Sequence, residues 1–151
     1  MVELLDYQTR ATCLEALTIA RRGFGILEEA VPKARWVPWN GSSNWRFVEQ
    51  LHEQLLLQKL ARQITGIQTI DLLLMAGHLQ EIGVLYRMLD EIEEDILFIV
   101  YGITNGDWTK NHEAYVSYFW SEDDEDRSPP VRRKTIRAYT NRAYEHPNPS
   151  K

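Results

Sequence analysis

An arginine and a histidine near one helix end can hold a phosphate and move a proton, the two requirements of metal-free RNA cleavage. Arg142 and His146 fit that description, and a frayed, solvated terminus is the plainer reading of the same residues. Glu49 and His52 form one Glu-x-x-His pair, half of the carboxylate-bridged metal site built into some four-helix bundles. The nearest substitutes for a second pair are Glu91 with Glu94 and the reversed His78 with Glu81. Half a motif predicts an ordinary His52, so neither metal nor cofactor is expected, and a metal-carboxylate bundle is the most distant reading. Arg87 and Glu91, one turn apart, are a third candidate. Set among Leu85, Tyr86, Met88 and Leu89, Arg87 is expected to be partly buried, with Glu91 as the partner in an ion pair that braces the helices.

Other familiar chemistry is missing from the sequence. There is no Gly-x-Ser-x-Gly elbow and no GxxxxGK phosphate loop, and Gly23-Phe24-Gly25 has no third glycine in register. Cys13 is the only cysteine, so CxxC-type zinc sites and internal disulfides cannot form, and it sits in an apolar helical run where it reads as core. One unpaired thiol fits a reducing compartment, and cytoplasmic location is expected. The longest apolar stretch, Ile96 to Ile103, falls far short of the about 20 residues a membrane span needs, so no membrane partner is expected.

Charge divides the chain. Residues 1–126 hold 10 basic and 21 acidic side chains, whereas residues 127–151 hold 7 basic and 1 acidic. The sign changes after Ser121-Glu122-Asp123-Asp124-Glu125-Asp126, a run that reads as a solvated loop. The basic segment that follows is expected to dock against the acidic body. Its alternative is contact with nucleic acid through Arg132, Arg133, Lys134 and Arg137, which an overall charge of −5 does not favour at long range.

These residues need elements to position them, and the dominant pattern is helical. The 151 residues suffice for one domain, and 44% apolar with 26% charged residues excludes a disordered chain, a collagen-like fibre and a membrane bundle. Apolar residues from Tyr7 to Ala30 follow the helical period, with a kink or early end possible at Gly23 and Gly25, and Val31-Pro32 ends the run. Residues 32–44 read as a loop whose tryptophans, Trp36, Trp39 and neighbouring Trp45, clamp it to the core, with stacking on a ligand base as the alternative. Ser42 or Ser43 then caps a second helix predicted over 44–76 and stopped by Gly77.

A third helix from about His78 carries the seam Leu79, Ile82, Leu85, Leu89, Ile92, Ile96, Ile99 and Ile103, with Asp90, Glu91, Glu93, Glu94 and Asp95 on its polar side. Two such helices joined at a glycine predict a long antiparallel hairpin. A shorter helix over Thr109–Trp120, an acidic and proline-rich linker near 121–130, and a basic helix from about Val131 to Tyr144 complete the pattern. The predicted fold is all-α, a four- to five-helix bundle in a single domain over 1–151, with no strands.

The segment from Gln58 through Gly77-His78-Leu79-Gln80-Glu81 to Leu85-Tyr86-Arg87-Met88-Leu89-Asp90-Glu91 resembles a helical hairpin of uncharacterised bacterial proteins grouped with the HEPN superfamily. Such proteins carry Arg-x-x-x-Glu after a small-residue turn, here Arg87 and Glu91. A later helix ends in a segment like Tyr144-Glu145-His146-Pro147, so that the likeness covers roughly residues 45–147. The resemblance implies a helical protein that acts through binding or dimerisation, as a homodimer, on RNA or a partner protein. The superfamily also contains dimeric, metal-free ribonucleases of toxin–antitoxin and antiphage systems, whose motif is Arg, four to six residues, then His. Here three residues separate Arg142 from His146. The resemblance therefore implies a binding protein first and a ribonuclease as the alternative.

Overall fold

The computed structural model describes residues 2–39, 41–121 and 130–145. They form α1 (Val2–Ala30), β1 (Arg35–Trp39), β2 (Ser42–Arg46), α2 (His52–Ala76), α3 (Leu79–Thr104), α4 (Lys110–Trp120) and α5 (Arg133–Glu145). The helical bundle is as the periodicity predicts. The linker 122–129 and His146 lie outside the described residues.

Gly77 ends α2 in the left-handed region at φ 78°, where only glycine carries no steric penalty, and its N–H is donated back to the last turn of the helix. The chain reverses there and α3 returns along α2. α1 packs along α2 and is uninterrupted through Gly23 and Gly25.

Two clusters of buried side chains divide the hairpin lengthwise. Near the turn, Cys13 of α1 joins Ile70 of α2 and Ile82, Leu89 and Ile92 of α3. At the other end Leu55 and Leu56, Phe98 and Ile99, Tyr115, and Ile136, Tyr139 and Ala143 bring α2, α3, α4 and α5 together. The seam predicted on α3 is buried or half-buried along its middle. Its ends, Leu79 and Ile103, are exposed, as are Leu72 and Met75 near the turn, because no described helix covers the bundle there.

Three expectations fail between residues 32 and 51. The segment read as a loop is an antiparallel hairpin, with Trp36 opposite Trp45 and Trp39 opposite Ser42. Asn40-Gly41, a favoured hairpin-turn pair, stands between two short runs rich in aromatic residues, and that local chemistry outweighs the helical spacing from Trp45 onward. Consequently α2 starts at His52 and not near Asn44, and its length is about 38 Å, less than the 50 Å implied by the longer span. The serines at 42 and 43 lie in β2 and do not cap it. Gln54 serves there instead: its side-chain oxygen accepts the Leu51 N–H at 3.0 Å, and its amide nitrogen donates to the Pro32 carbonyl and to Glu49, each at 3.0 Å.

His112 locks α4 to α3. Its imidazole is fully buried between Phe98, stacked at 4.0 Å, and Trp108 at 4.9 Å. The Thr109 N–H donates to Nδ1 at 3.0 Å, and Nε2 stands 3.1 Å from the Phe98 carbonyl, so the partners select the neutral Nε2–H tautomer. Gly102 makes the approach possible, since a Cβ there would lie 2.7 Å from Nε2.

Candidate functional site

The terminal candidate is only partly in view. Arg142, on the last turn of α5, donates to Asp107 at 3.1 Å and lies over the Tyr139 ring. The Tyr139 hydroxyl donates to the Asp107 carbonyl at 3.3 Å. Arg142 is thus engaged with the loop between α3 and α4, and its intended partner His146 lies outside the described residues.

The basic residues at the start of α5, with Arg132 just before it, divide by face. Arg133 and Arg137, four apart, point at α3, where Arg133 forks onto Asp95 and donates to the Glu91 carbonyl at 3.0 Å, and Arg137 pairs with Glu94. Arg132 and Lys134 face solvent. Arg133, Arg137 and Arg142 therefore act as the docking reading of the basic segment requires.

Arg87 and Glu91 are not the brace expected of them. The Arg87 side chain is 86% exposed and its Nε stands 3.9 Å from the carboxylate. Position 87 is on the open side of α3, away from Ile82 and Leu89, so its charge stays in water and such a pair contributes under about 1 kcal/mol. Glu49 and His52 do not share a helix either. Glu49 precedes α2 and accepts from Arg35 and Gln54, while His52 pairs with Glu53. Among the described residues no three His, Cys, Asp or Glu side chains gather as a metal site.

The brace is formed instead by a residue assigned to the polar side of α3. Asp95 is 1% exposed. It accepts from Lys59 of α2 at 2.7 Å and from both terminal nitrogens of Arg133 of α5, so one carboxylate joins three helices. Position 95 lies three residues after Ile92 and three before Phe98, on the buried flank of α3. An acidic run of Glu93, Glu94 and Asp95 conceals that spacing. Tyr115 lies against the same carboxylate, and burial together with the Asp95 charge raises its hydroxyl above the ordinary tyrosine range. These groups line a cavity of about 490 Å³ whose other walls include Phe119 and Val131.

The tryptophan hairpin is the second arrangement able to receive a ligand. Trp36 and Trp45 do not clamp it to the body: they are 58% and 69% exposed, and their rings meet edge to face at 5.6 Å. As cross-strand partners they share one face of the ribbon, while Trp39 on the opposite face carries the Arg46 guanidinium at 3.7 Å. Residues 31–48 contain Lys33, Arg35 and Arg46 and no acidic residue, in a body that is otherwise acidic. A cleft of about 570 Å³ opens beside the ribbon, lined among others by Trp45, Asn44, Gln58 and Trp120. The buried Trp120 Nε1–H has no hydrogen-bond partner among the described residues.

No protein-family model matches the chain, and no curated protein or solved structure matches it. No described helix is long and apolar enough to cross a membrane.

Proposed function

We propose that this chain is a HEPN-like helical binding protein that holds single-stranded RNA on its tryptophan hairpin without cleaving it. The observation that carries the reading is the exposed pair Trp36 and Trp45, on a segment with three basic residues, of which Arg35 is paired with Glu49. Unstacked bases lie on aromatic faces at about 1–3 kcal/mol each, and a basic surround draws the phosphates. The cleft on the Trp39 side of the ribbon supplies amides at Asn44 and Gln58 for the base edge of a neighbouring nucleotide. The Arg142–Asp107 pair supports binding over catalysis, since the guanidinium that a phosphate would need is already facing a carboxylate.

Quenching of tryptophan fluorescence by a short oligouridylate tests the reading, with a duplex of equal length as control. Saturable quenching by the single strand, weaker for the duplex and for the Trp45→Ala protein, supports it. Equal affinity in wild type and variant overturns it. Cleavage of the RNA that disappears in His146→Ala replaces it with the ribonuclease alternative.

The reading includes association of two copies. Val84, Arg87 and Glu91 fall on one exposed face of α3, and a face bearing both charges is complementary to itself about a two-fold axis.

A further inference from the structure

Two cations converge on Asp95 at the edge of the cavity, and Arg133 also stands 3.9 Å from Glu94. The charged residues that line the cavity itself, Lys59, Arg133 and Asp95, sum to +1. Donors are in excess as well. Within the hydrogen bonds among the described residues, the Lys59 ammonium commits one N–H of three, and the Arg133 guanidinium three of five.

Both cations stand at a cavity and are not sealed behind packed side chains, the Arg133 side chain being 39% exposed. The opposite wall is apolar and aromatic: Tyr118, Phe119, Pro130 and Val131. Lys59 is held 5.5 Å above the Phe119 ring and 5.8 Å above that of Tyr115, which fixes the ammonium at the boundary between the polar floor and the aromatic wall. A volume of about 490 Å³ lies within the size range of small-molecule sites, and convergent polar groups against an apolar wall are their usual composition.

We propose that this cavity binds a small oxyanion carried on an aromatic body, the oxyanion bridging Lys59 and Arg133 and the ring lying against Phe119. The site shares no residue with the tryptophan ribbon and is independent of the RNA reading. A ligand here contacts α2, α4 and α5 together, so its binding would tighten the attachment of α5 to the hairpin.

Three probes on the full chain test it by calorimetry and by amide chemical shifts: phenyl phosphate, phenylacetate and inorganic phosphate. Saturable binding of at least one phenyl compound with Kd near or below about 1 mM, with shifts centred on Phe119 and Val131, is the expected result. Binding of phenyl phosphate alone identifies a phosphate ligand, and binding of phenylacetate alone a carboxylate. Inorganic phosphate is expected to bind at least about tenfold more weakly than the better phenyl probe, for want of the ring contact. No saturation by either phenyl compound up to about 10 mM, or shifts located elsewhere, overturns the proposal.

Lys59→Gln leaves the Arg133–Asp95 fork in place and removes one of the two cations from the cavity lining. It should weaken the bound probe by about tenfold or more, and Lys59→Arg should restore it. A folded Lys59→Gln protein with wild-type affinity overturns the charge argument. Should that variant fail to fold, Phe119→Ala serves: its affinity for the phenyl probe should fall toward that for inorganic phosphate, and an unchanged affinity counts against the site. Trp45→Ala, which weakens RNA on the first reading, should leave phenyl phosphate binding unchanged.

Discussion

The His112 imidazole lies nearly parallel to the Phe98 ring, 13° between planes, and its Nε2 reaches the carbonyl of that same residue. One side chain of α4 thereby satisfies a backbone acceptor of α3 and packs on its ring. The arrangement holds only for the neutral imidazole, because a proton on Nδ1 would point at the Thr109 N–H. Burial accordingly lowers the His112 pKa. A lowered pKa means that the unfolded chain binds the proton more readily, so acid favours unfolding. The contribution is complete above the ordinary histidine value of about 6.5 and is lost as pH falls below it. Urea midpoints measured between about pH 7.5 and 5 should decline, and His112→Gln should flatten the decline.

Gly102 should be intolerant of any side chain. Gly102→Ala places a methyl 2.7 Å from His112 Nε2, and the ring, held on both faces, has little room to retreat. A loss of about 1–3 kcal/mol is expected by chemical denaturation, as for other overpacked cores. Gly83, with nothing within 4 Å of its Cβ position, is the control, and Gly83→Ala should be neutral or mildly stabilising.

Asp95→Ala should cost about 3 kcal/mol, the lower part of the range for a broken buried pair, because Lys59 and Arg133 can still reach water. The loss should localise. Hydrogen exchange in α5 should accelerate more than in α1 around Cys13, which is buried in the other cluster.

For RNA, Trp45→Ala should raise Kd about tenfold, the equivalent of one stacked base. With Arg35 held by Glu49, contact of Lys33 and Arg46 with the phosphates should make log K fall with log salt at a slope of about −1.4. A slope near zero would remove the backbone from the interaction.

Sedimentation equilibrium at several concentrations checks the pairing of two copies through α3. Arg87→Glu places like charges across the two-fold axis and should shift the population toward monomer. A single monomeric species for the wild type at every concentration would dismiss the dimer.

The helical framework was legible because its signals are local and repeat. Val31-Pro32 ends α1, Gly77 turns the chain, and the stripe from Ile82 to Ile99 fixes which face of α3 is covered. The candidate sites were harder to read, each for its own reason. Asp95 has the spacing of a core residue and the company of solvated ones, and only tertiary placement of Lys59 and Arg133 shows which description holds. Trp36 and Trp45 were visible as residues, but their exposure depends on a ribbon whose one local sign is Asn40-Gly41. His112 lies three and seven residues before Tyr115 and Phe119, on the packed side of α4, yet its type gave no indication of burial.

Cys13, on the buried side of α1 and against the first turns of α3, gives the molecule a built-in clock. Since it is the lone thiol, the rate at which a small alkylating reagent consumes it counts how often the amino-terminal helix lifts away. Comparing that rate with amide exchange in α5 would show whether the two ends of the hairpin come apart together or separately.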